Sequence, residues 1–114
     1  MTPSKHELMQ GTLDLLILKV LSADSLHGWD VAKRIQLLSQ ERLLVKQGSL
    51  YPALHRLEQK AWIEAEWGIS SEGRKAKFYR LTKEGSLQLT AETNRWESFV
   101  ASIAMILDSR EAQQ

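Results

Sequence analysis

The chain has no cysteine. That removes disulfides, thiolate nucleophiles, iron–sulfur clusters and cysteine-based zinc sites, so packing alone must hold the fold. No apolar run reaches the roughly 18 residues of a membrane-spanning helix, and no charged-then-apolar leader opens the sequence. A cytoplasmic protein, neither exported nor inserted, is expected. Catalytic signatures are missing too: there is no Gly-x-Ser-x-Gly and no phosphate-cradling glycine loop. His55 and Glu58 stand at a spacing that could hold a metal, yet no third ligand accompanies them and His6 lies in an unanchored tail. Neither enzyme chemistry, nor a metal, nor a cofactor is therefore expected. What is present is ordinary: 114 residues, 43% hydrophobic and 25% charged, enough for one domain with a small core.

The net charge of +1 hides an uneven distribution. Residues 33–83 carry eleven basic and five acidic groups, whereas residues 1–32 carry two and four, and residues 84–114 two and five. A basic centre between acidic flanks suits one polyanion-facing surface, with other surfaces left for self-association. Charge alone leaves a merely solvated face equally open.

Periodicity supplies the elements. From Leu8 to Ser22, Leu13, Leu16, Ile17, Val20 and Leu21 follow the spacing of an amphipathic helix. Leu8, Leu15 and Leu18 occupy its other side, which predicts a second cover from a partner subunit. After the turn residues Asp24, Ser25 and Gly28, a second helix over Trp29 to Leu38 points Val31, Ala32, Ile35 and Leu38 inward. The third helix is expected to start at Ser49 as N-cap, with Pro52 in the first turn and Leu50, Leu54, Leu57 and Ala61 as its buried stripe. Its opposite face then presents Pro52, His55, Arg56 and Gln59, with Tyr51 at the edge, donors without a carboxylate.

Alternation predicts a strand over Trp62 to Trp67 with Ile63, Ala65 and Trp67 on one side, and a partner over Lys77 to Thr82 with Tyr79 and Leu81 inward. The polar stretch from Ser70 to Lys75 forms the hairpin tip. Thr82 caps a long final helix reaching about Asp108, along which Leu89, Trp96 and Ile103 recur every seven residues and Phe99, Val100, Ile106 and Leu107 widen the stripe. The expected fold is mainly α with a small β hairpin: a winged helix-turn-helix over residues 1–83 and a C-terminal dimerisation helix over 84–114.

The segments Leu26-His27-Gly28-Trp29-Asp30-Val31, Gly48-Ser49-Leu50-Tyr51-Pro52-Ala53-Leu54, Leu57-Glu58, and Gly73-Arg74-Lys75-Ala76-Lys77-Phe78-Tyr79-Arg80-Leu81-Thr82 through Gly85 occur in this order. On these residues the chain resembles the PadR family of bacterial transcriptional regulators, in the short form with a single C-terminal helix. The resemblance spans about Leu8 to Asp108. Two positions depart from the family pattern. Trp29 stands where tyrosine usually follows His-Gly, keeping a bulky aromatic, and Ala61 stands where glycine is common.

The DNA-binding reading assigns roles. Backbone amides near Gln47 and Ser49 would hold phosphates, and Tyr51, Pro52, His55 and Arg56 would reach base edges or nearby phosphates. Arg74, Lys75 and Lys77 on the wing would meet the flanking backbone or minor groove. Duplex DNA is the expected partner, read as an inverted repeat by a homodimer joined through Leu15, Leu18, Leu89, Trp96, Phe99, Val100, Ile103 and Leu107. The resemblance further implies a planar aromatic effector between paired C-terminal helices, with Trp96 stacking on it, while plain packing of Trp96 is equally consistent with its stripe. A repressor is the expected role. A winged-helix dimer that binds a protein or a ligand without specific DNA binding is the alternative from another class. His27, at a helix start, is read as a packing or capping residue.

Overall fold

The computed structural model of the protein describes residues 6–7 and 10–110. Leu8, assigned to the first helix from sequence, lies outside them. In chain order the elements are β1 (His6–Glu7), α1 (Gln10–Ala23), β2 (Leu26–His27), α2 (Gly28–Leu38), β3 (Leu43–Leu44), α3 (Gln47–Gln59), β4 (Ile63–Ile69), β5 (Lys75–Leu81) and α4 (Lys83–Leu107). The wing is a three-stranded antiparallel sheet in the order β2-β5-β4, with Leu26 opposite Tyr79 and Ile63 opposite Leu81. The backbone of His6–Glu7, expected to be unanchored, pairs in parallel with Leu43–Leu44.

One core unites these elements. Leu13, Ile17, Leu18, Val31, Leu50, Leu54, Leu57 and Ile63 are almost completely buried. α1 is the central helix, packed by α2, α3, α4 and β5. The chain's own elements thus cover part of the second side that was expected to need a partner subunit, while Leu15 stays half-buried. Leu18 is fully buried by the chain's own helices and does not lie on an interface. Leu38, expected inward, is exposed because α2 rolls its Val31-Ala32-Ile35 stripe onto the core and leaves its last turn outside. Tyr79 anchors the wing, and burial raises its hydroxyl pKa.

Two helix ends are closed by left-handed residues. At the exit of α3, Ala61 has φ +62°, its N–H donates to the Glu58 carbonyl and the Trp62 N–H donates to the Leu57 carbonyl. This is the two-bond Schellman closure, so Ala61 is outside the helix and exposed instead of being the last residue of its stripe. Gln40 and Glu41, at φ 55° and 64°, close α2 through bonds to Leu37 and Gln36.

The start of α4 is fixed to the exit of α3. Thr82 caps α4 by accepting from the Gly85 N–H at 3.0 Å, while its hydroxyl donates to the Ala61 carbonyl at 2.6 Å and its N–H donates to the Trp62 carbonyl at 3.1 Å. Gly85 is buried here because a β-carbon would stand 1.9 Å from the Trp62 carbonyl oxygen. From this anchorage α4 runs out beyond the core, giving extents of 60 × 36 × 22 Å and a radius of gyration of 16.5 Å, above the ~13 Å of a sphere-like domain this long. Among the described residues, no helix is long and apolar enough to cross a membrane.

Candidate nucleic-acid interface

α3 begins three residues earlier than its sequence suggests. Lys46 is the N-cap, without a side-chain cap bond from its own side chain, and Ser49 is already helical with its N–H donating to the Lys46 carbonyl at 3.1 Å. Pro52 therefore sits in the second turn, where its missing N–H leaves one carbonyl of the first turn without its helical donor. The first-turn amides of Gln47 and Gly48 lead the helix, as phosphate-holding amides must.

At about 100° per residue, three faces of α3 follow from its phase. Leu50, Ala53, Leu54 and Leu57 are buried, whereas Tyr51, Pro52, His55 and Gln59 are exposed, as are Gln47 and Ser49. Arg56 departs from its expected outward position. It lies on the flank toward α1, where its guanidinium donates to the Asp14 carboxylate at 2.9 Å, with 30% of its side chain exposed. Its Nε is buried without a hydrogen-bond partner. Burial raises the pKa of Asp14 even against the Arg56 hydrogen bond and charge. Read from sequence, Arg56 joins the outward residues, but its phase puts it on a flank, from which a long side chain can lie back onto a neighbouring helix.

The other flank faces the wing. Glu58 accepts from Lys77 at 3.1 Å, and this bond raises the Lys77 pKa. The tip turns through Ser70, whose N–H donates to the Arg74 carbonyl at 2.8 Å and whose hydroxyl accepts from the Arg74 N–H. Gly73 supplies the positive φ of +78° that this turn requires. Arg74 and Lys75 are exposed beside it.

Between wing and α3 lies a groove of about 260 Å³ lined by His27, Gly28, Trp29, Tyr51, Trp67, Lys75, Ala76, Lys77 and Tyr79. Trp67 is the functional candidate that sequence reasoning missed. It keeps the Ile63 and Ala65 face of β4, as alternation predicted, but the core ends before it and leaves it 62% exposed. Gly28 is the close neighbour of Tyr51: a β-carbon there would approach the Tyr51 ring to 2.9 Å. His27 has a packing role: its Nε2 lies 2.9 Å from an Asp30 carboxylate oxygen, the acceptor of the pair, and its ring meets Phe78 edge-on at 5.7 Å between ring centres.

A wing beside a helix whose outer face is free, carried on a three-helix core, is the winged-helix arrangement. The description "Transcriptional regulator PadR-like family" matches residues 17–91. The chain belongs to this family. Members of the PadR-like family are DNA-binding transcription regulators and not enzymes. Transcriptional regulator Rv3488 of Mycobacterium tuberculosis is 31% identical over 86% of this chain and 88% of its own length. Among solved structures, the Streptococcus mutans protein smu.1704 superposes with a TM-score of 0.80 at 27% identity, covering 92% of this chain and 94% of that one. A PadR-like transcriptional regulator from Bacillus cereus superposes at 0.76 and 27% identity, covering 89% and 96%.

On α4, Trp96, Phe99, Val100, Ile103 and Leu107 are all exposed, with the Trp96 and Phe99 rings 6.1 Å apart. Leu89, nearer the start of the helix, is half-buried and packs on the chain's own core. Where α4 passes the start of α1, Gly11, Thr12, Leu15, Glu92, Arg95, Trp96 and Phe99 line a groove of about 250 Å³.

Proposed function

We propose that this PadR-like regulator acts in the cytoplasm as a homodimeric repressor that reads an inverted repeat in duplex DNA. The observation that carries the reading is the free outer face of α3, with Tyr51, Pro52 and His55 exposed next to the wing residues Arg74 and Lys75. In this reading Tyr51, Pro52 and His55 choose the sequence in the major groove. The amides of Gln47 and Gly48 and the wing cations hold the backbone and supply salt-dependent affinity. Lys77 contributes less than Lys75, since Glu58 already neutralises it.

Residues 84–114 serve as the dimerisation element. An exposed stripe of Trp96, Phe99, Val100, Ile103 and Leu107 on a projecting helix supports this role, since so large an apolar patch is rare on a monomer. Leu15, half-buried at the same groove, completes the seam. Pairing α4 helices would set the two recognition helices about one duplex turn apart, ~34 Å. A planar aromatic effector fits the space beside Trp96, where a second copy of α4 would turn an open groove into an enclosed one. It releases DNA only by binding one spacing of the wings more tightly than another.

Selection of bound duplexes from a random DNA pool tests the central reading. An enriched inverted repeat that the protein prefers over random duplex supports it, and equal affinity for both overturns it. Planar compounds that quench wild-type fluorescence, spare Trp96→Leu and weaken DNA binding support the effector site. Equal quenching in both proteins overturns it.

A further inference from the structure

We propose that Trp67, on the edge strand of the wing, is a DNA contact, and that its groove with Tyr51 grips the sugar–phosphate backbone of one strand. The inference rests on the DNA-binding reading above and adds to it a contact that is apolar and independent of sequence.

Three observations lead to it. Trp67 is 62% exposed although it continues the core-facing side of β4, so the ring stands on the side of the sheet turned to α3. The residues lining the groove include no carboxylate; Lys77 is already matched by Glu58 and His27 by Asp30, so Lys75 is the cation the groove presents, which complements a polyanion and disfavours a cationic segment. The Lys75 ammonium lies 5.1 Å from the centre of the Trp67 ring, so the apolar surface and the charge are presented together. A DNA strand offers matching chemistry: an apolar deoxyribose face beside a phosphate.

In this arrangement Tyr51 enters the groove from α3 and Trp67 from the wing, with Gly28 at its base leaving room for the Tyr51 ring. Lys75 donates to the phosphate, and Trp67 covers the adjoining sugar. The contact fixes the distance between wing and recognition helix on the duplex, so it adds affinity to every sequence alike.

The test compares wild type, Trp67→Ala, Trp67→Phe and Lys75→Ala for binding to a selected duplex and to a random duplex across a salt series. Trp67→Ala is expected to weaken both duplexes by the same factor, about tenfold for a buried ring face, with an unchanged salt slope. Trp67→Phe should restore most of the loss. Lys75→Ala should reduce the slope by about one unit. Circular dichroism and urea unfolding of each variant check folding, which the exposure of Trp67 should spare. DNA should also protect wild-type fluorescence from acrylamide more than it protects that of Trp67→Phe.

Equal affinity of Trp67→Ala and wild type for both duplexes overturns the proposal while leaving the DNA reading intact. So does a loss confined to the selected duplex, which would make Trp67 a base reader. Protection of Trp67 by raised protein concentration without DNA would assign the groove to a second copy and overturn it as well. Failure of wild type to bind any duplex overturns both readings together.

Discussion

Ala61→Gly should stabilise the protein. Ala61 holds φ +62° at the exit of α3, a region where the β-carbon of an L-residue crowds the following carbonyl. The crowding costs about 1–2 kcal/mol. Glycine removes that cost but gains freedom in the unfolded chain, which returns about 0.4–1 kcal/mol. A net gain of about 0.5–1 kcal/mol remains, or a rise of roughly 2–5 °C in Tm for a domain of this size. The residue is kept in place by two helix-closing bonds and by Thr82, whose hydroxyl donates to the Ala61 carbonyl at 2.6 Å. Thr82→Ala should therefore cost about 1–2 kcal/mol. In that background the gain from Ala61→Gly should shrink, because a released turn can relax out of the strained region. Urea unfolding at one fixed protein concentration measures all four proteins, with a constant m-value as the control. An unchanged or lowered midpoint for Ala61→Gly in the wild-type background would refute the strain argument.

Gly85→Ala should act in the opposite direction, by about 3 kcal/mol or more, because its β-carbon would lie 1.9 Å from the Trp62 backbone oxygen and one element must move; a urea midpoint close to wild type would show that no such contact exists. Asp14 has its pKa raised by burial, so the folded state binds its proton more tightly than the unfolded state does. Its contribution to stability is then greatest at acid pH and falls as pH rises from the ordinary aspartate value through the raised one. Stability measured across that window should show this fall in wild type and lose it in Asp14→Asn. At neutral pH, Asp14→Asn leaves the Arg56 guanidinium, 30% exposed, with only a neutral acceptor. A loss of about 1–3 kcal/mol is expected, and a paired replacement, Asp14→Leu with Arg56→Met, should recover most of it. For the proposed homodimer, wild type should sediment at about twice 13.0 kDa and Ile103→Asp as a folded monomer, since a charge in an apolar seam costs several kcal/mol; sedimentation at low micromolar concentration that leaves the variant dimeric would place the seam elsewhere.

How far the sequence could be read depended on where each regularity stopped. Helical periodicity located α1, α2 and α4, because their inward residues are apolar and few polar residues interrupt them. Thr82 was legible as the cap of α4 because a short side chain acts on its own turn. Periodicity carries no information on where a core ends, so Trp67 and Leu38 continued correct patterns into solvent. The two-residue strands β1, β2 and β3 are too short to carry an alternating pattern at all. Arg56 failed for a different reason. It stands ~120° from the centre of the buried stripe by helical phase, a flank and not the outer face, and only the presence of Asp14 on the packed neighbour decides where its guanidinium goes.

α3, the proposed recognition helix, is held from both flanks. Glu58 occupies the flank opposite Arg56 and accepts from Lys77 of β5, so one ion pair ties the helix to α1 and another ties it to the wing. Both clamps lie in its second half, whereas Tyr51 and Pro52 precede them and stay exposed. The net gain from each pair is modest, since each partner remains partly solvated, although removing one partner of Asp14–Arg56 leaves the other half-buried and uncompensated. Their value is geometric: rotation of α3 about its axis would lengthen one pair while compressing the other, so the two together resist turning in either sense. The wing cannot shift along α3 without breaking Glu58–Lys77, and α1 cannot shift without disturbing Asp14–Arg56. α1 also forms one wall of the groove beside Trp96. In the proposed reading, an effector seated there would touch the helix that carries Asp14, which is paired with Arg56 of the proposed recognition helix.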